Sequence, residues 1–502
     1  MSDVHLLSSA RDRINASSGQ FDSELTQWDE CADSRLEPVW LSFWHELKLQ
    51  CRISGPLIAV NLLQMTYQMI SLVFIGHVGE LELASSSIAI SMANVTGYSV
   101  LMGMASGLET LCGQAYGAKQ YELIGLYLQT GLLVLNVVAV FMSFVYVYMA
   151  EILLFFGQDK KISQEAGLYA KFLIPSLFGQ ACLQTLMRFL QVQSLVYPLL
   201  NFSGVAAVIH VPLCWLFVCK TRLGFSGAAL STSICIWLNV ILLYAYIIVS
   251  SSCSITRAHL SLQSLKYIRT FLKLAIPSAA MMCLEWWCYE ILILLSGLLP
   301  DPELQTSTLS ACLNFTNIAF QISFGLSATI STRVSNALGA GQPQIVYQAV
   351  RTAVMLAEVQ ALVISLLILS FHNVMGYIFS GDKQVIQAIA KLLNLAAISS
   401  FLDSNQAILS GIARGCGWQV FGAIVNLSSF YIVALPIGAS LAFLTSLKAV
   451  VINGLWIGII CGPFVQSCFY GFRTWTAKWE NEVDKARERL ECKNVAASCI
   501  LS

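Results

Sequence analysis

Apolar runs of membrane-crossing length recur along the chain, parted by short polar turns. They fall at 53–76, 85–113, 125–148, 169–190, 200–220, 226–250, 271–297, 306–328, 350–371, 387–411, 421–445 and 449–471. A helix needs about 20 apolar residues to cross the hydrocarbon core, so the pattern predicts an all-α polytopic membrane protein with twelve transmembrane helices. Laid on itself with an offset of about 221 to 225 residues, the chain repeats: Pro56 falls on Pro277, QAYGAKQ (114–120) on NALGAGQ (336–342), Asn201 on Asn426, and Pro212 one residue out of step with Pro436. Each half holds an even number of spans, so both enter the membrane in the same orientation. That predicts two six-helix lobes related by a pseudo-two-fold axis along the membrane normal.

The expected organisation is a disordered cytosolic tail (1–44), a first lobe (45–250), a cytosolic linker (251–270), a second lobe (271–471) and a cytosolic tail (472–502). Within the last segment, WTAKWENEVDKARER (475–489) alternates charge and tryptophan at helical spacing and reads as an amphipathic helix lying in the membrane interface. Loops on the side of both termini carry Lys119, Arg188, Arg257, Lys266, Arg269, Arg333 and Arg414, whereas the first opposite loop, HVGELEL, carries acids and no Lys or Arg. The positive-inside rule therefore predicts cytosolic termini.

Composition narrows the class. Of 502 residues, 57% are hydrophobic and 11% charged, against about 25% charged in an ordinary soluble domain. Net charge is zero, which leaves no basic excess for nucleic acid. The sixteen cysteines are scattered without a CxxC pair and read as small buried hydrophobes. HELKL (45–49) lacks the second histidine of a zinc-hydrolase motif, and only His210 of six histidines lies in a span, so no metal, cofactor or enzymatic constellation is expected. No GxxxxGK[ST] element is present for ATP. The sequons at Asn94, Asn201, Asn314 and Asn426 sit in or beside spans, out of reach of glycosylation, and read as chance matches.

Against this background the acids in CLEWWCYEIL (283–292) stand out. A carboxylate at membrane depth costs several kcal/mol and persists only with a partner, a cavity or a proton. Gln64 of the first half falls on Glu285, and Gln180 on Asp403 of SSFLDSNQAIL, so the acids belong to the second half only. A structural brace would be expected in both halves; a titrating site is needed once. Poor solvation and like charge disfavour ionising both groups, so Glu285 and Asp403 are expected to share a proton. Glu290, about 140° around the helix from Glu285, is expected to turn away and pair within the lobe.

ETLCGQAYGAKQY (109–121), IPSAAMMCLEWWCYEILILLSGLLPDPEL (276–304), RVSNALGAGQP (333–343), GIARGCGWQ (411–419) and GLWIG (454–458) resemble the multidrug and toxic compound extrusion (MATE) family, in its plant DETOXIFICATION branch. The resemblance covers roughly residues 45 to 480. It implies two six-helix bundles around a V-shaped cavity and efflux of small organic solutes in exchange for H+ or Na+. Carried over by position, the proton-coupling acids are Glu285 and Asp403, with Glu290 as the further acid. The aspartate that bacterial members often use in the first helix has no counterpart, since 53–76 holds no charge.

Around these acids, Trp286, Trp287 and Tyr289 either wall a substrate cavity or pack the lobe; Gln64, Asn314 and Asn405 are further cavity candidates. Asn314 and Asn405 would also supply oxygens to Na+, the alternative ion, and a lipid flippase is the alternative cargo class. Glu109, Arg188, Arg333 and Arg414 flank the glycine-rich turns. They either snorkel to the interface as structural charges or pair across the lobes and latch a gate. The resulting expectation is a monomeric H+-coupled exporter in the plasma or vacuolar membrane.

Overall fold

The computed structural model describes residues 39–299, 301–378, 382–444 and 451–498. The expected tail is outside that range up to residue 38, and from Val39 onward it is already helix. Twelve long helices follow: α1 Val39–Gly76, α2 Glu80–Gly117, α3 Tyr121–Val147, α4 Lys160–Val192, α5 Val196–Lys220, α6 Ser226–Val249, α7 Ile268–Ser296, α8 Pro302–Gly339, α9 Pro343–Met375, α10 Lys383–Cys416, α11 Gln419–Phe443 and α12 Val451–Trp475. A final helix, α13, spans Trp479–Ser498. No strand occurs among the described residues.

Eleven described helices are long and apolar enough to cross a membrane. The exception is α4, which carries Lys160, Lys161, Glu165 and Lys171 in its first half and Arg188 near its end. At 33 residues it is long enough to cross, and it packs among α2, α3 and α6, so it completes the twelve. Its start is fixed by Asp159, whose side chain accepts from the backbone amides of Lys161 (2.8 Å) and Ile162 (3.2 Å). Three helices widen into π-helical turns, at Asn94–Tyr98, Leu216–Lys220 and Leu427–Ala434. The last two lie beside Pro212 and Pro436, repeat-related positions at which a missing amide loosens the hydrogen-bond ladder.

The first six long helices pack on one another, as do α7 to α12, and the halves meet through exchanged pairs: α1 against α8 and α2 against α7. The segment between them is tied down rather than slack. Gln129 of α3 donates to the carbonyls of Ala258 (3.3 Å) and His259 (2.8 Å), and Thr130 donates to that of Ser264 (2.8 Å).

The joint is tightest at the end of the bundle where α1 starts, the near end. There Asn336 donates to the Val192 carbonyl (3.0 Å), Gln191 to the Ala328 carbonyl (3.0 Å), and Thr110 to the Arg414 carbonyl (2.5 Å). The two glycine-rich turns of the repeat face each other. A Cβ on Gly117 would overlap the Asn336 carbonyl oxygen, and one on Gly339 would overlap the Gln114 carbonyl oxygen. Backbone against backbone has no flexible side chain to yield, so only glycine allows this approach.

The expected interfacial helix is instead docked under this joint. Trp479 of α13 stacks on Trp418 (centroids 6.3 Å apart), whose indole donates to Glu482 (2.9 Å). Arg489 reaches the Cys416 carbonyl (2.9 Å) of the second half and Gln114 (3.4 Å) of the first. Trp479, Glu482 and Arg489 of α13 thus serve the protein's own end rather than lipid.

Gly117→Ala and Gly339→Ala are each expected to destabilise the closed joint by about 1–3 kcal/mol, the usual cost of overpacking. Gly55→Ala, at a site with nothing within 4 Å, is the control. Thermal melting in detergent checks this: both joint variants should melt several degrees lower and the control at the parental temperature.

Candidate functional site

Glu285 and Tyr289 stand one turn apart on α7, and Asp403 and Gln406 one turn apart on α10, so the two pairs interleave where the helices face each other. Gln406 donates to the Glu285 carboxylate (3.3 Å), and the Tyr289 hydroxyl is directed at the Asp403 carboxylate. Glu285 lines a narrow, water-sized cavity together with Met281, Trp286, Phe324, Ser327 and Arg414. Asn426 closes one side of it, donating to the Met281 carbonyl (2.7 Å) while accepting from Gln466 (2.7 Å) and Tyr470 (3.1 Å). The Glu285 carboxylate thus has a neutral amide donor at 3.3 Å, an acid on the facing helix and a guanidinium lining the same cavity.

The other candidate residues are dispersed. Trp286 walls the cavity. Trp287 is 40% exposed and its indole donates to the Val95 carbonyl (2.9 Å) of α2. Tyr289 meets Phe430 edge-on at 6.1 Å. Glu290 does not pair within its lobe: its carboxylate faces Ser91 of α2, across the joint. Gln64 is half-buried in the first half, with its amide nitrogen 3.1 Å from the Met187 sulfur. Asn314 is exposed and donates to Ser310 (3.0 Å), and Asn405 donates to Phe401 (3.1 Å), so both amides serve their own helices rather than the cavity.

At the near end the charged candidates form two clasps. Glu109 of α2 takes Arg188 of α4 on one oxygen (2.8 Å) and Arg414 of α10 on the other (3.4 Å). Arg414 also donates to Ser327 (2.8 Å) and Ser410 (3.3 Å) and lies over the Phe324 ring. Arg333 of α8 is not part of this group. It forms a bidentate pair with Glu46 of α1 (2.6 and 3.0 Å), and Gln50 donates to the same carboxylate (2.9 Å). All five ionic side chains are at most 8% exposed, so the snorkelling alternative does not hold for them. Glu46 and Asn426 escaped the sequence reading. Glu46 sits in HELKL, dismissed as a failed zinc motif, ahead of a first span taken to begin at 53; Asn426 was flagged only as a repeat match and an inert sequon.

Membrane-length helices duplicated about a common joint, with the Glu285 and Asp403 pair present in one half only, make up the architecture of a membrane transporter. The MatE family model matches residues 56–216 and 277–439, one copy in each half, and the chain belongs to that family, whose members are transporters rather than enzymes. It is similar to Protein DETOXIFICATION 16 of Arabidopsis thaliana, 48% identical over 89% of this chain and 91% of that one. Protein DETOXIFICATION 10 of the same plant is 46% identical over 89% and 92%. The crystal structure of the eukaryotic MATE transporter AtDTX14 superposes with a TM-score of 0.86 at 44% identity, covering 89% of this chain and 99% of that chain. An outward-facing multidrug resistance MATE transporter shares the fold at 15% identity, with a TM-score of 0.77 and coverage of 88% and 97%.

Removing one partner of a buried ion pair strands the other. Glu46→Gln is therefore expected to cost about 3–5 kcal/mol, whereas the double change Glu46→Leu with Arg333→Met recovers most of the loss. Melting curves of both variants in the same detergent check this; equal loss in single and double variants would contradict it.

Proposed function

We propose that the protein is a secondary active antiporter that exports small organic solutes from the cytosol, out of the cell or into the vacuole, in exchange for H+. The near end with both termini is the cytosolic end, and the structure corresponds to the state closed on that side. Glu285 and Asp403 form the coupling pair. The observation that carries this reading is their confinement: both face one another's helices in the second half, while the repeat-related positions of the first hold Gln64 and Gln180.

The mechanism follows from the surroundings of the pair. With one negative charge the pair offers a counter-charge to a cationic or planar solute, which Trp286 supports by stacking. A proton arriving from the far side neutralises the pair, the solute loses that attraction, and it leaves on the side from which the proton came. The Na+ alternative is the weaker reading, because Asn314 and Asn405 do not line the cavity that holds Glu285. The chain is read as acting alone, since each copy holds a complete pair and joint.

In proteoliposomes with an imposed pH gradient, accumulation of solute should collapse on adding a protonophore. Glu285→Gln and Asp403→Asn should each fold and insert yet lose gradient-driven transport by at least about tenfold, as removal of an essential proton carrier requires. Transport by Glu285→Gln at the parental rate with the parental pH profile would overturn the assignment.

A further inference from the structure

Arg414 belongs to two groups at once. It is the second-half member of the Glu109 clasp, and it lines the same narrow cavity as Glu285, close enough for the two charges to interact. The charged groups around this point are Glu109 on α2, Arg188 on α4, Asp403 and Arg414 on α10 and Glu285 on α7; the other titratable neighbours are a thiol and two phenols, Cys288 and Tyr289 on α7 and Tyr470 on α12. The balance of charge is then simple. Glu109 offsets one arginine. The acid pair, carrying one negative charge, offsets the other.

From this geometry we propose that Arg414 is the positioning residue through which the proton on the acid pair controls the near-end joint. While the pair is ionised, the buried cluster is neutral and the joint stays shut. When the pair takes up a proton, Glu109 alone faces two buried guanidinium groups, and the closed joint holds an uncompensated positive charge. Opening that end admits water to the charge and relieves it. Protonation from the far side thus drives opening on the near side, the direction that an exchanger carrying protons inward requires. The inference rests on the coupling role given to Glu285 above, but it adds a sign and a messenger.

The test uses the full chain in lipid nanodiscs, with Cys31, Cys51, Cys182, Cys219, Cys461, Cys468, Cys492 and Cys499 changed to serine and spin labels at Glu122→Cys and Gln344→Cys, two exposed sites in opposite halves at the near end. Distance distributions are recorded against pH. The parental chain should shift to longer distances as pH falls. The double change Glu285→Gln with Asp403→Asn, which leaves the pair no charge to lose, should favour the long distance with no pH response. In Arg414→Gln the cluster is negative when the pair is ionised and neutral when it is protonated, so the response should reverse, closing as pH falls. Arg414→Lys should keep the parental direction. Where Arg414→Gln fails to fold, Glu109→Gln supplies the test, because it adds positive charge to the same cluster. Opening should then need about tenfold less acid, a shift of one pH unit. A parental response in Arg414→Gln, or an unshifted one in Glu109→Gln, overturns the role of Arg414 even if the double acid variant is flat; a parental response in the double acid variant instead overturns the coupling reading beneath it.

Discussion

A full charge placed where water is absent needs an opposite charge, a proton or a route back to water, and this requirement organises the protein. Each ionic group of the two near-end clasps is buried, and each meets that requirement with a partner from another helix. Partners supplied by different helices fix how those helices meet. The acids of the second half meet it differently, Asp403 through a tyrosine and Glu285 through a glutamine and a narrow cavity. A fixed partner makes a charge structural; a replaceable one makes it an instrument.

The close approach of the halves is the second half of that arrangement. Small residues let α2 run against α7 and α8 with backbones nearly touching, which squeezes water from the joint and strengthens every interaction inside it. Duplication supplies this surface twice, which explains why the glycine-rich turn survives in both copies. The acids needed no duplicate. The two halves therefore share their packing and differ in their chemistry.

Much of this was legible in the sequence. Spans and the repeat follow from hydropathy and from the offset of Pro56 with Pro277 and of the two turns, because bilayer thickness fixes helix length. The acids were legible because a carboxylate in an apolar run is costly. Partner choice was not. Nothing in the order of residues tells Arg333 to select Glu46 rather than Glu109, since that depends on which helix lies opposite at that depth. The amphipathic pattern of α13 was read correctly as a helix with an apolar face, but periodicity is silent on whether that face meets lipid or protein, and Trp418 decided it. The short first span went astray because Glu46 and Gln50 look polar enough to lie outside the membrane, whereas here they are buried by their partners.

The clasps lie on different helix pairs, one joining α1 to α8 and the other α2 and α4 to α10. Hinging the near end open about one edge would leave one of them still shut. For passage, both must be broken together, and if their energies add, their separate opening probabilities multiply. Two modest locks in series thus make spontaneous opening of this end far rarer than either lock alone would.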